Sequence, residues 1–87
     1  MKAILDQNMT LTERFFAREI AKALPNGGNI VILKLVESLG FGSRASAVGA
    51  LRKLAMAGVI VVRSMGMKGT YIKVLDKKVW RDLAEEE

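Results

Sequence analysis

Leu11, Phe15, Phe16, Ile20, Ala23 and Leu24 recur at the three-to-four-residue spacing of one helical face. Thr10 and Glu13 stand ahead of that stripe as a capping box: the Thr10 hydroxyl accepts from the third helical amide, and Glu13 reaches back to the cap. Pro25, Asn26, Gly27 and Gly28 end the pattern. A first helix over 10–24 is predicted, with the Phe pair in the core. The next run, Asn29–Leu39, is denser in apolar residues and fits two descriptions. Its β-branched side chains suit a buried strand. Asn29 as a cap and Gly40 as a left-handed stop frame a helix. A strand here needs a partner close by, and the next clear strands lie beyond residue 58, so a second helix is expected.

Gly40-Phe41-Gly42 reads as a turn, and Ser43 as the cap of a third helix over 43–57. On a helical wheel, Ala47, Val48, Leu51, Leu54 and Ala55 fall on one side. Ala45, Ser46, Gly49, Arg52, Lys53 and Met56 fall on the other, which is small near its start and cationic further on. Gly58 closes this helix. Val59–Ser64 and Thr70–Leu75 then read as short strands, joined by Met65-Gly66-Met67-Lys68-Gly69. Tyr71 is expected to pack under the hairpin. Asp76 caps a last helix whose Val79, Trp80 and Leu83 pack back on the core, with Trp80 as anchor. The resulting order is helix, helix, turn, helix, hairpin, helix. It predicts a mainly α member of the α+β class, a winged helix-turn-helix with a three-helix core, a two-stranded wing and a C-terminal helix. Residues 1–9 are expected to be an arm, a short helix or disordered, and 10–87 the domain.

Charge sharpens this picture because of where it sits. The 87 residues carry 14 basic and 9 acidic groups, a net charge of +5. Residues 43–75 hold Arg44, Arg52, Lys53, Arg63, Lys68 and Lys73 and no acid. The flanking segments are nearly balanced or acidic. A helix that fits a groove, followed by a cationic hairpin, favours a polyanionic partner, and double-stranded DNA is the leading one. The small face of the third helix allows close approach to a base edge or phosphate, and its Arg and Lys supply donors. Ser43, Arg44, Ala45, Ser46, Gly49, Arg52 and Lys53 are the expected contacts on the helix. Arg63, Lys68, Gly69 and Lys73 are those on the wing.

Other chemistries find little support. Cys and His are both absent, so there is no disulfide framework, thiolate or imidazole base, and no metal or cofactor is expected. The acidic groups show no paired-carboxylate spacing, so the chain is not read as an enzyme. No run of about 18 apolar residues exists to span a membrane, and Met1–Met9 is no signal peptide. A cytoplasmic location is the plain reading, with no membrane partner. The competing reading is a winged-helix protein-interaction module, in which Met65 and Met67 offer soft apolar contacts.

The block Ala50-Leu-Arg-Lys-Leu54, then Ala57-Gly-Val-Ile60, then Arg63-Ser-Met-Gly-Met-Lys-Gly-Thr-Tyr-Ile-Lys-Val74 resembles the C-terminal DNA-binding domain of the CodY family. These are GTP- and branched-chain-amino-acid-sensing pleiotropic repressors of low-GC Gram-positive bacteria. The similarity is close over about residues 43–75, and the hairpin stretch is its specific part. It implies a winged helix-turn-helix that binds AT-rich operator DNA, usually within a dimer. Arg44 matches the Arg of an Arg-Ser pair that opens the family's recognition helix. Ala45 replaces that Ser, and Gly49 stands where the family tends to have Asn. The family's effector-binding GAF domain has no counterpart in 87 residues. The chain is expected to be an excised fragment or a free-standing relative, and GTP and branched-chain amino acids are not expected to bind it.

Overall fold

The computed structural model describes residues 9–40, 42–64 and 69–85. Helix α1 spans Leu11–Ala23, and its start follows the capping box: the Thr10 hydroxyl accepts from the Glu13 amide at 3.1 Å, and Glu13 Oε1 accepts from the Thr10 amide at 2.9 Å. Its buried stripe is Phe16, Ala17, Ile20 and Ala21. Leu11, placed on that face by its spacing, is 82% exposed, because nine residues before Ile20 is two and a half turns and it points away from the buried stripe. Phe16 is fully buried, whereas Phe15 is half-buried with its ring edge-on to Phe16 and the Arg18 guanidinium 5.1 Å from its centroid. Met9 belongs to the core; residues 1–8, the rest of the expected arm, lie outside the described residues.

The stretch expected as one second helix divides. Gly28–Ile30 forms strand β1, and Ile32–Leu39 forms helix α2. Asn29 is therefore a strand residue and not a cap; Val31 stands at the helix start with no side-chain cap. The strand finds its partner some forty residues away, pairing antiparallel with β3 (Thr70–Val74) in the register Gly28 to Ile72, Asn29 to Tyr71 and Ile30 to Thr70. Local pattern cannot reveal a partner at that distance. Gly40 ends α2 in the left-handed conformation, with φ 75° and its amide on the Val36 carbonyl.

Helix α3 spans Arg44–Met56 and is capped by Ser43, whose hydroxyl accepts from the Ser46 amide at 3.3 Å. Its buried residues are Ala47, Ala50, Leu51 and Leu54. Ala50 thus joins the inner face, and Val48, expected there, is exposed at its margin. The helix ends in a Schellman motif: Gly58, at φ 79°, donates to the Ala55 carbonyl, and Val59 to that of Leu54, each at 3.0 Å. Strand β2 (Ile60–Ser64) follows at once and pairs with β3 from Ile60 opposite Val74 to Ser64 opposite Thr70. The sheet order is β1-β3-β2, so the wing has three strands, one more than the hairpin expected. Residues 65–68, the rest of the predicted turn, lie outside the described residues.

Helix α4 spans Lys77–Glu85, and Asp76 caps it through a bond from the Val79 amide at 3.1 Å. It packs on α1, and α1 packs in turn on α3. Trp80 and Leu83 are buried, and the Trp80 indole N–H donates to the Leu24 carbonyl at 2.7 Å. The same carbonyl accepts from the Gly27 amide at 3.0 Å, so the indole takes its second lone pair and fixes α4 across the end of α1. Among the described residues, four helices and one antiparallel sheet make up the winged helix-turn-helix of the α+β class. Among the described residues no helix is long and apolar enough to cross a membrane.

Trp80→Ala should cost about 3–5 kcal/mol, as a large core side chain is deleted. Trp80→Phe should lose about 0.5–1.5 kcal/mol for its hydrogen bond, since the Leu24 carbonyl keeps the Gly27 amide as a donor. Urea unfolding followed by far-UV circular dichroism checks both.

Candidate nucleic-acid interface

Side chains on the inner face of a strand alternate with those on the outer face. Ile60, Val62 and Ser64 of β2, with Thr70, Ile72 and Val74 of β3, point inward, and Ile60 and Ile72 are fully buried there. Towards the wing tip this face becomes polar, at Ser64 and Thr70. There it opens into a groove of about 550 Å³ shared with α3. Arg44, Val48, Arg52 and Met56 line it from the helix, and Val62, Ser64 and Thr70 from the wing. Apolar side chains form most of its surface, with two guanidinium groups and two hydroxyls among them. Neither Arg44 nor Arg52 has an ion-pair partner among the described residues.

Arg44 occupies the first turn of α3, which contains no acidic residue. A cation there opposes the helix macrodipole by a few tenths of a kcal/mol. The same turn offers free amides, so an anion brought to it meets both the amides and a guanidinium. Ser43 and Ala45 are exposed beside Arg44. Ser43 and Ser46 are engaged with one another, their hydroxyl oxygens 3.3 Å apart.

The remaining expected contacts lie elsewhere. Gly49 and Lys53 follow Ser46 along a second stripe of α3, turned towards α1. Lys53 Nζ donates to Glu13 Oε1 at 2.7 Å, with the two side chains 36% and 12% exposed. A Cβ on residue 49 would lie 2.5 Å from Glu13 Oε2. Gly49 therefore makes room for a carboxylate, at a helix-propensity cost of about 1 kcal/mol relative to Ala. Arg63 and Lys73 are exposed on the outer face of the sheet, opposite Tyr71 and Val61 respectively. Tyr71 stands out from that face at 41% exposure, where the sequence placed it under the wing. Strand alternation is the reason: Ile72 takes the core position, and both of its neighbours must point away. Gly69 lies against the Ile30 carbonyl, with room for no Cβ. Lys68 lies outside the described residues.

Of the residues singled out in the sequence, Arg44 and Arg52 line this groove; Val48, Met56, Val62, Ser64 and Thr70 line it with them and were not singled out as contacts. The available signal was the pair Ser64 and Thr70, polar residues in phase with Ile60, Val62 and Ile72. Among the described residues no group of three or more His, Cys, Asp or Glu side chains gathers to hold a metal.

Residues 29–87 match the family described as the CodY helix-turn-helix domain. The Global transcriptional regulator CodY of Lysinibacillus sphaericus is 53% identical over 60 residues, which cover 69% of this chain and 23% of that protein. Proteins of the same name from Bacillus mycoides and Bacillus cytotoxicus are each 52% identical over 58 residues, 67% of this chain and 22% of theirs. The chain therefore spans less than a quarter of the length of these curated relatives.

The Glu13 carboxyl is held below its ordinary value of 4.5, chiefly by the hydrogen bond from Lys53 and then by that from the Thr10 amide, with partial burial opposing both. A depressed carboxylate pKa stabilises the fold above the unfolded value, and that contribution is lost as pH falls through the folded value. Wild type should therefore exceed Glu13→Gln in stability above pH 4.5, and the gap should close on acidification below it. Urea midpoints measured across that range test the sign.

Proposed function

This chain belongs to the CodY helix-turn-helix family, and from that membership we propose that it binds double-stranded DNA as the contacting module of a transcriptional regulator, acting as a repressor in the cytoplasm. The observation that carries the reading is the groove between α3 and the wing, with Arg44 and Arg52, which have no ion-pair partner among the described residues, on one wall and the Ser64 and Thr70 hydroxyls on the other. A sugar–phosphate strand has the chemistry this lining asks for: anionic oxygens for the guanidinium groups and hydroxyls, and apolar sugar edges for Val48, Met56 and Val62. With that strand in the groove, the exposed side of α3 lies in the major groove. Arg44 and Ala45 at its start approach base edges, and Arg52 meets a phosphate. The wing lies on the adjacent backbone or minor groove, where Lys68 and the Gly69 backbone come close. Arg63 and Lys73 add positive potential from the outer face.

A second reading is favoured by that outer face, where Tyr71 and Val61 are exposed between Arg63 and Lys73. It suits an acidic protein surface with an apolar spot. Failure to bind any duplex at low salt would leave this as the standing alternative.

Fluorescence anisotropy with a labelled duplex between 50 and 200 mM salt tests the proposal. Affinity should fall steeply with salt, with a log–log slope near −0.9 for each phosphate neutralised. Arg52→Gln should flatten the slope by about 1 and weaken all sequences alike. Arg44→Ala should cost about 1–3 kcal/mol and relax sequence choice. An affinity indifferent to salt would overturn the electrostatic account.

A further inference from the structure

Glu13 contributes, among the described residues, the carboxylate that is ion-paired with α3. One of its oxygens does two things. Oε1 accepts from Lys53 Nζ in the last turn of α3 and from the Thr10 amide at the start of α1. The other oxygen lies against the α3 backbone at Gly49, in space that any side chain there would occupy. Glycine inside a helix lowers its stability, and at this position the missing methyl is what admits the carboxylate. Lys53 is drawn by this contact to the α1 side of the helix, a different stripe from the one that carries Arg44 and Arg52 to the groove. The helix thus presents those two guanidinium groups, with its third cation engaged internally.

Resting on the duplex reading, we propose that Glu13 is a positioning residue of the DNA site. It seats α3 against α1 at Gly49, and it keeps Lys53 off the phosphates, so that α1 sets how many charges the recognition helix offers. Release of the carboxylate frees a long, flexible ammonium side chain close to the bound strand. That adds sequence-independent attraction without adding base contacts, so Glu13 favours discrimination over grip. Because the α1 cap shares the same oxygen, loosening the cap at Thr10 acts on the recognition helix too.

The test uses the 87-residue chain and a labelled random-sequence duplex, with Kd measured by anisotropy from 50 to 200 mM salt. Glu13→Gln should bind more tightly at 50 mM and have a slope steeper by about 0.9, one added phosphate contact. Over that fourfold salt range it should lose roughly threefold more affinity than wild type. Lys53→Gln in the wild-type background should leave the slope unchanged, and in the Glu13→Gln background should restore it. Gly49→Ala, whose methyl displaces the carboxylate, should behave as Glu13→Gln does and decides the matter if that variant does not fold. A purely structural role for Glu13 steepens no slope. A flatter slope for Lys53→Gln in the wild-type background, or an unaltered one for Glu13→Gln, would overturn the inference. If the wild-type chain itself binds no duplex, the DNA reading falls first and this inference with it.

Discussion

Ala17 and Ala21 on α1, and Ala47 and Ala50 on α3, are all fully buried. Helices can approach closely only where the side chains between them are small, and an added methylene at such a place forces the backbones apart. Helix α1 needs this economy because it packs on α3 and also carries α4. Phe16, Ile20, Leu54 and Trp80 fill the wider spaces of the same core. The position of α3, and with it the groove, follows from how closely α1 allows it to lie. Gly49 extends the same logic to the rim, where the neighbour admitted is a carboxylate instead of an apolar surface.

Features that depend on adjacent residues were legible in the chain. The Thr10–Glu13 box, the Ser43 cap, the left-handed Gly40 and the Asp76 cap all act within a few positions, and each is present. The two hairpin strands were equally plain, since alternation and β-branched composition declare them. Strand β1 was hidden because its hydrogen bonds go to β3, across the whole of α2, α3 and β2. Apolar density alone reads equally well as helix over that stretch. Leu11 was misplaced for a different reason: two and a half turns separate it from Ile20, so it faces away from the buried stripe although α3 reaches that turn at Glu13.

The candidate site shows the same division. Arg44 and Arg52 were legible as cations on a helix beginning at a good cap, but the partition of the basic residues was not. A count of charge over 43–75 treats its cations as one patch. In the structure Lys53 is committed to α1, and Arg63 and Lys73 occupy the far side of the sheet. Strand alternation could have separated the last two from the groove in advance. Nothing local could have shown that Glu13, forty positions earlier, claims Lys53.

The wing is held from three directions. Gly58 and Val59 fold back onto the last turn of α3, the Val59 carbonyl accepts from both Leu75 and Asp76, and β1 clasps β3 from the other edge. Helix α3 and the hairpin base therefore form one continuous piece among the described residues. Among the described residues, a ligand in the groove would have side-chain rotamers to order, those of Arg44 and Arg52 foremost, at about 0.5–1.5 kcal/mol for each long side chain immobilised. Mutations that tune this surface should accordingly act through individual guanidinium groups and hydroxyls, while the angle between helix and sheet stays the same.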